Sequence, residues 1–108
     1  MIHAKFTKKG DLITAFEMYG HAGYADSGFD IVCAAVSVLA INTVNSLEQL
    51  VKIEPLVVED PTEGGFLRLE VGTKDLDKPG VQILLAALEL GISDLVKQAE
   101  YQKYISLD

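Results

Sequence analysis

The chain has 108 residues, 49% of them hydrophobic and 23% charged, which fits one globular domain over residues 1–108. No stretch of it approaches the roughly 20 consecutive apolar residues of a membrane span. The net charge of −7 argues against a direct nucleic-acid partner and is compatible with a basic protein partner. The single cysteine excludes an internal disulfide, and the N-terminus lacks the pattern of a signal peptide, so we expect a cytoplasmic protein.

The first half of the chain predicts a hairpin followed by a long helix. Residues 2–8 alternate in polarity and 12–19 form a second strand, with a turn at Lys9-Gly10-Asp11 between them. Residues 20–29 form a loop with three glycines, and a helix runs from Asp30 to about Lys52 before Pro55. We place along one side of this helix, buried in its first three turns, Ile31, Ala34, Ala35, Val38, Ile41, Asn42 and Asn45.

The second half repeats this order of elements. Residues 56–59 and 66–71 read as strands joined by a turn over 60–65, and 73–80 is a polar connection. Apolar residues at helical spacing after Pro79 predict a second helix, whereas the tail over 101–108 fits a frayed helix or a short strand. The order ββαββα indicates a two-layer α+β fold, in which two helices cover one face of a four-stranded antiparallel sheet.

The only cysteine, Cys33, and one of the two histidines, His21, flank the glycine-containing loop. A thiol and an imidazole are the pair needed for nucleophilic acyl transfer, and glycines let the chain double back so that the two meet. The competing interpretations are structural, since a cysteine in an apolar run is usually a small buried hydrophobe and a loop histidine is usually solvated.

The start of the helix decides how strongly its dipole favours a thiolate at Cys33. With Asp30 as the N-cap, which we prefer, Cys33 falls in the first turn; with Ser27 as the cap it lies nearly two turns in and gains less. Ser37 lies one turn after Cys33, where it either touches the site or bonds the preceding turn. Asp26 could orient His21, although loop aspartates more often form local turns.

Other chemistry fits these residues poorly. The spacing of His21, Asp26, Asp30 and Cys33 matches no zinc pattern. The glycines at 20, 23 and 28 form neither a phosphate loop nor a dinucleotide fingerprint. We therefore expect neither a metal nor a cofactor.

At these residues the chain resembles the Prp family of bacterial ribosomal-processing cysteine proteases. The resemblance covers essentially the whole chain, and its specific part is the pattern His-loop-Asp-x-x-Cys-Ala-x-x-Ser, here Gly20-His21 followed by Asp30-Ile31-Val32-Cys33-Ala34-Ala35-Val36-Ser37. It implies that Cys33 is the nucleophile and His21 its base. Gly20, Asp30 and Ser37 match supporting positions, with Gly20 next to the loop that would admit the substrate.

The resemblance also implies a function. It implies a homodimer that removes a short N-terminal extension from a large-subunit ribosomal protein (number twenty-seven). Cleavage would follow an aromatic pair at the end of that extension. The expected substrate is thus a basic ribosomal-protein precursor. The alternative is a non-catalytic homodimeric module that assists ribosome assembly and needs no reactive thiol.

Overall fold

The computed structural model describes residues 1–20, 27–60 and 65–108, with residues 27–30 described in their backbone only. These parts form two helices, a 3-10 turn and five strands. In chain order they are β1 (Ile2–Lys9), β2 (Leu12–Tyr19), α1 (Ser27–Gln49), β3 (Leu56–Asp60), β4 (Phe66–Glu70), the 3-10 turn (Thr73–Asp75), α2 (Pro79–Lys97) and β5 (Ile105–Leu107). The predicted order ββαββα is confirmed as far as α2.

The sheet has five strands in the order β3-β4-β2-β1-β5, and it is mixed rather than antiparallel. The prediction of four antiparallel strands was wrong because the C-terminal tail adds β5 beside β1 in parallel. Backbone bonds hold β5 in place: the Ile2 amide donates to the Tyr104 carbonyl, and the Asp108 amide to the Ala4 carbonyl, both at 2.8 Å. The two central hairpin strands, β1 and β2, thus lie inside the sheet.

The burial of α1 differs from the predicted phase of its apolar side. Three residues that the sequence pattern placed on the buried side are exposed: Ile31, Val38 and Ile41 keep 54%, 67% and 53% of their solvent-accessible surface. The opposite side packs into the core through Val32, Val36, Ala40, Val44 and Leu47. The first half of this helix is apolar nearly all round, so its periodicity does not identify the face that meets the sheet.

Helix α2 begins at Pro79, inside the segment 73–80 that we expected to be a polar connection, and Gln82 ties it to the sheet. The Gln82 side chain accepts a hydrogen bond from the Ile13 amide at 2.8 Å and donates to the carbonyls of Ile13 and Leu76. In the polar connection before α2, Asp75 is only 5% exposed and pairs with Lys78 Nζ at 2.8 Å. The connection is therefore more ordered than its polarity suggests.

Both helices are more apolar than the sequence expectation allowed. The segments Ile31–Gln49 and Pro79–Lys97 reach mean hydropathies of 1.6 and 1.5, enough by length and composition to cross a membrane. Core helices of globular proteins pass the same test, and here Val32, Val36, Leu85 and Ile92 are fully buried in the core. We interpret both helices as the layer that covers the sheet.

Candidate active site

Cys33 is the seventh residue of α1, one residue after the fully buried Val32. Its side chain is half-buried and packs against the hydrophobic core cluster. A thiol in this position is held by packing on one side while part of it remains accessible. That partial exposure separates it from the fully buried, inert cysteines of protein cores.

The preferred start of this helix at Asp30 was wrong, because α1 already begins at Ser27. Cys33 therefore lies in the second turn, about 9 Å along the axis from the first residue at a rise of 1.5 Å per residue. The effect of the dipole falls off within the first turn, so Cys33 gains less from it than a residue in the first turn would. Helical side chains lean towards the N-terminus, so the Cys33 side chain lies over the first turn of α1.

Ser37 lies one turn after Cys33 and lines a groove between α1 and the β3–β4 hairpin. This cavity, of about 260 Å³, we call the Ser37 groove; its described lining is Met18, Ser37, Ala40, Ile41, Glu59, Asp60, Gly65, Phe66 and Leu67. Four residues of helix separate Ser37 from Cys33 by about 6 Å along the axis. The structure thus places the predicted nucleophile one helical turn from an open, largely apolar groove.

The sequence reading missed the sheet residues of this groove. Glu59 is the clearest case, since it pairs with Leu67 in the register of β3 and β4, and Leu67 pairs with Met18. Partners opposite each other share a face, so Glu59 lies on the helix side of the sheet. The available signal was a charged residue in a strand at an inward position of the period-two pattern.

Several predicted site residues lie outside what the structure describes. His21 and Asp26 fall outside the described residues, as do the predicted cap side chain of Ser27 and the side chain of Asp30. The same holds for most of the glycine-containing loop and for the turn over 61–64. Three of the four ligands weighed for a metal are among these residues, and the described part of the chain holds no group of three His, Cys, Asp or Glu side chains that could bind a metal ion.

The other histidine, His3, belongs to the end of the sheet. Its Nδ1 lies 3.3 Å from Asp108 Oδ2, and its ring stacks on Tyr19 with centroids 4.9 Å apart. The Ser106 hydroxyl donates to Asp108 at 2.6 Å and, with the nearby His3, holds the pKa of Asp108 below its usual value. His3 thus joins β1 to the C-terminal strand, which makes it a useful control for His21.

Gly20 ends β2 in a conformation that few other residues adopt. Its φ is +98°, and a Cβ built there would collide with the carbonyl oxygen of Met1. Only a residue without a side chain lets the chain pass the N-terminus at this point and continue towards His21. The close approach gives Gly20 a structural role besides the flexibility that the sequence suggested.

We expect Gly20→Ala to lower stability and proteolytic activity together. Left-handed strain and the backbone collision should cost on the order of 2 kcal/mol, or roughly a 10 °C fall in Tm. Thermal unfolding and a cleavage assay measure the two effects. The matched control is Gly72→Ala, because Gly72 has nothing within 4 Å of a built Cβ. A Gly20→Ala protein with unchanged Tm and lost activity would contradict this role and favour a hinge instead.

Comparison with known proteins identifies the family of this chain. The family model described as cysteine protease Prp matches residues 1–106. The ribosomal processing cysteine protease Prp of Bacillus subtilis is 38% identical over 71 residues, covering 65% of this chain and 62% of that protein. The Staphylococcus aureus protein of the same name is 27% identical over 96 residues, covering 89% and 86%.

Solved structures extend the likeness to the whole fold. A Streptococcus mutans crystal structure superposes with a TM-score of 0.92 at 33% identity, over 100% of this chain and 96% of that one. The Staphylococcus aureus protease Prp in complex with a substrate peptide gives a TM-score of 0.86 at 25% identity, over 100% and 98%. The same protease with a covalently linked product peptide gives 0.82 at 27% identity, with the same coverage. With a family match that spans nearly every residue, this chain belongs to the Prp family of cysteine proteases.

Proposed function

We propose that this protein is a cytoplasmic cysteine endopeptidase, formed by the single domain 1–108, that removes a short N-terminal extension from large-subunit ribosomal protein twenty-seven. Cys33 is the nucleophile and His21 its general base and acid. Gly20, Asp30 and Ser37 support them. The relatives named as ribosomal processing proteases support the reaction class, and the family resemblance of the His-loop-Asp-x-x-Cys pattern supports the residue roles.

The mechanism is acyl transfer. The Cys33 thiolate attacks the scissile carbonyl carbon, and the tetrahedral intermediate collapses as His21 gives a proton to the leaving amine. The extension remains bound as a thioester on Cys33. His21 then takes a proton from water, the hydroxide attacks the thioester, and the extension leaves with a new carboxylate while the thiolate is regenerated. Amides of the first turn of α1 are the candidate donors for the oxyanion.

The single observation that carries this proposal is the position of Cys33 one helical turn from the Ser37 groove. A half-buried thiol one turn from an open cavity of about 260 Å³ has room for a substrate chain next to it. The structures of a relative with a substrate peptide and with a covalently linked product peptide support peptide binding at this fold.

The decisive experiment is incubation of the protein with the precursor of ribosomal protein twenty-seven from its own organism. Intact mass spectrometry should report two products, the protein shortened by its N-terminal extension and the released extension, with no other cut. An unchanged precursor after prolonged incubation at stoichiometric enzyme would contradict the proposal. The mature ribosomal protein serves as the control substrate and should stay intact.

The alternative function is a non-catalytic module for ribosome assembly. It keeps the fold but places no demand on the thiol of Cys33. The rate of alkylation of Cys33 by iodoacetamide across pH separates the two, since a nucleophile has a lowered thiol pKa. A sluggish thiol with an ordinary or raised pKa favours the module.

The protein is further proposed to act as a homodimer through the outer sides of its helices. This helix face consists of Ile31 and Val38 of α1 with Ile83 and Leu90 of α2, each more than half exposed. Residues 31–47 contain no charged side chain, in a chain of net charge −7. A second copy of an acidic chain pairs with least repulsion through such an uncharged surface, which supports a symmetric contact here.

Val38→Glu is expected to convert the dimer to a monomer, because it buries a carboxylate at the centre of the paired helices. Multi-angle light scattering should report a mass of about twice 11.7 kDa for the wild type and 11.7 kDa for the variant. Val58→Glu, at a 47% exposed position on β3, is the matched control and should remain dimeric. A wild type that is monomeric at micromolar concentration contradicts the dimer.

A further inference from the structure

The Ser37 groove has an apolar interior and a carboxylate at its outer edge. Its floor is formed by Met18 and Leu67 of the sheet, and its opposite wall by Ala40 and Ile41 of α1. Met18 is fully buried and Leu67 half-buried, so the floor is fixed by the core. The groove is therefore a preformed space beside α1.

The residues that form the groove explain why it stays open. Across the helix side of the sheet, one row runs from Ala4 through Met18 and Leu67 to Glu59 at the edge. The next row has Val57 at the edge position, packed against the core. With glutamate in place of an apolar residue, and with the small Ser37 and Ala40 opposite, the edge is not filled by side chains.

The charge of Glu59 has no partner within the described parts of the chain, where none of the ion pairs includes it. Among the described lining residues of the groove, the charged ones are Glu59 and Asp60, both acidic. A side chain that buries an aliphatic stem against Leu67 and Ala40 and ends in a cation matches this arrangement. Lysine and arginine have that form.

We propose that the Ser37 groove is a substrate subsite for a lysine or arginine side chain, and that Glu59 selects it. The inference rests on the proposed peptidase function and adds a specificity-determining residue to it. Ser37 lies about 6 Å along α1 from Cys33, and an extended peptide advances about 3.3 Å per residue. The basic residue therefore lies about two positions from the scissile bond, on the side of the leaving amine, because the resemblance places an aromatic pair in the two positions before the bond. The acidic groove also suits a basic ribosomal-protein precursor.

Peptides spanning the precursor cleavage site provide the test. Each position within three residues of the scissile bond is replaced in turn by lysine, norleucine or glutamate, and kcat/KM is measured. At one position we expect kcat/KM for the lysine peptide to exceed that for the norleucine peptide by about fivefold, the size expected of an exposed ion pair. This preference should shrink as the salt concentration is raised. Norleucine keeps the apolar stem of lysine, so this comparison isolates the charge.

Variants assign the preference to Glu59. Glu59→Gln should remove the discrimination between lysine and norleucine at that position, and Glu59→Lys should reverse it in favour of glutamate. The matched controls are Glu70→Gln and Glu70→Lys, because Glu70 is exposed on the neighbouring strand and pairs with Ala15 and Leu56 on another row. These controls change the net charge equally and should leave the preference intact.

Two results overturn the inference while leaving the proposed function in place. One is cleavage by the wild type with no preference for lysine at any position. The other is a lysine preference that persists in Glu59→Gln. Equal binding of lysine and norleucine peptides to Cys33→Ala, measured by fluorescence anisotropy, counts against it in the same way. If the wild type cleaves neither the precursor nor any peptide, the proposed function fails and this inference falls with it.

Discussion

Cys33→Ala and Cys33→Ser are both expected to abolish cleavage of the precursor while leaving the protein folded. Alanine removes the nucleophile and serine replaces it with a hydroxyl that the site is not built to ionise, so no acyl-enzyme forms. Cysteine and alanine differ little in volume, and this side chain is only half-buried, so stability should change by about 1 kcal/mol. Intact mass spectrometry measures product, and thermal unfolding checks the fold.

A matched control separates the loss of the thiol from a general effect of substitution. Ser93→Ala changes a half-buried residue on α2, outside the Ser37 groove, and should keep full activity. Cysteine 33 is the only cysteine, so both of its variants should also lose all alkylation by iodoacetamide. A Cys33→Ala protein that still trims the precursor at the normal rate would rule out the nucleophile assignment.

The sequence predicts local elements of this fold better than their environment. The hairpin over 2–19 and the start of α2 near Pro79 depend on alternation, a turn and a proline, all of which act over a few residues. The buried side of α1 is not set by such local signals, because a helix that is apolar on both sides can pack either side against the sheet. The core takes Val32 and Val36, and the predicted side with Val38 is left as an exposed surface.

The fifth strand and the groove escape sequence reasoning because both depend on contacts between distant residues. Strand β5 has three residues and gains its order from pairing with β1, about a hundred positions away. Glu59 reads as an ordinary charge at the end of a strand until the register with Leu67 and Met18 places it beside α1. The Cys33–Ser37 spacing, by contrast, is local to one helix and was available from the sequence.

In the proposed mechanism, the position of Cys33 in the second turn leaves His21 as the main source of thiol activation. A helix that began at Asp30 would have stabilised the thiolate through its dipole and free amides, but α1 begins at Ser27. Since the dipole acts mainly over the first turn, the helix stabilises a thiolate at Cys33 less. The proposal therefore assigns the remaining stabilisation to a protonated His21, whose positive charge favours the thiolate directly.

His21→Ala is therefore expected to lower kcat/KM by about 10²–10⁴-fold and to slow alkylation of Cys33 near neutral pH. Without the positive charge of the imidazolium the thiolate is less stabilised, so the thiolate fraction at pH 7 falls. Iodoacetamide rates between pH 5 and 9 should show the midpoint moving upwards. His3→Ala is the control, since His3 pairs with Asp108 at the sheet end and should leave both measurements unchanged. A loss of activity with an unaltered alkylation profile would mean that His21 binds substrate rather than activating the thiol.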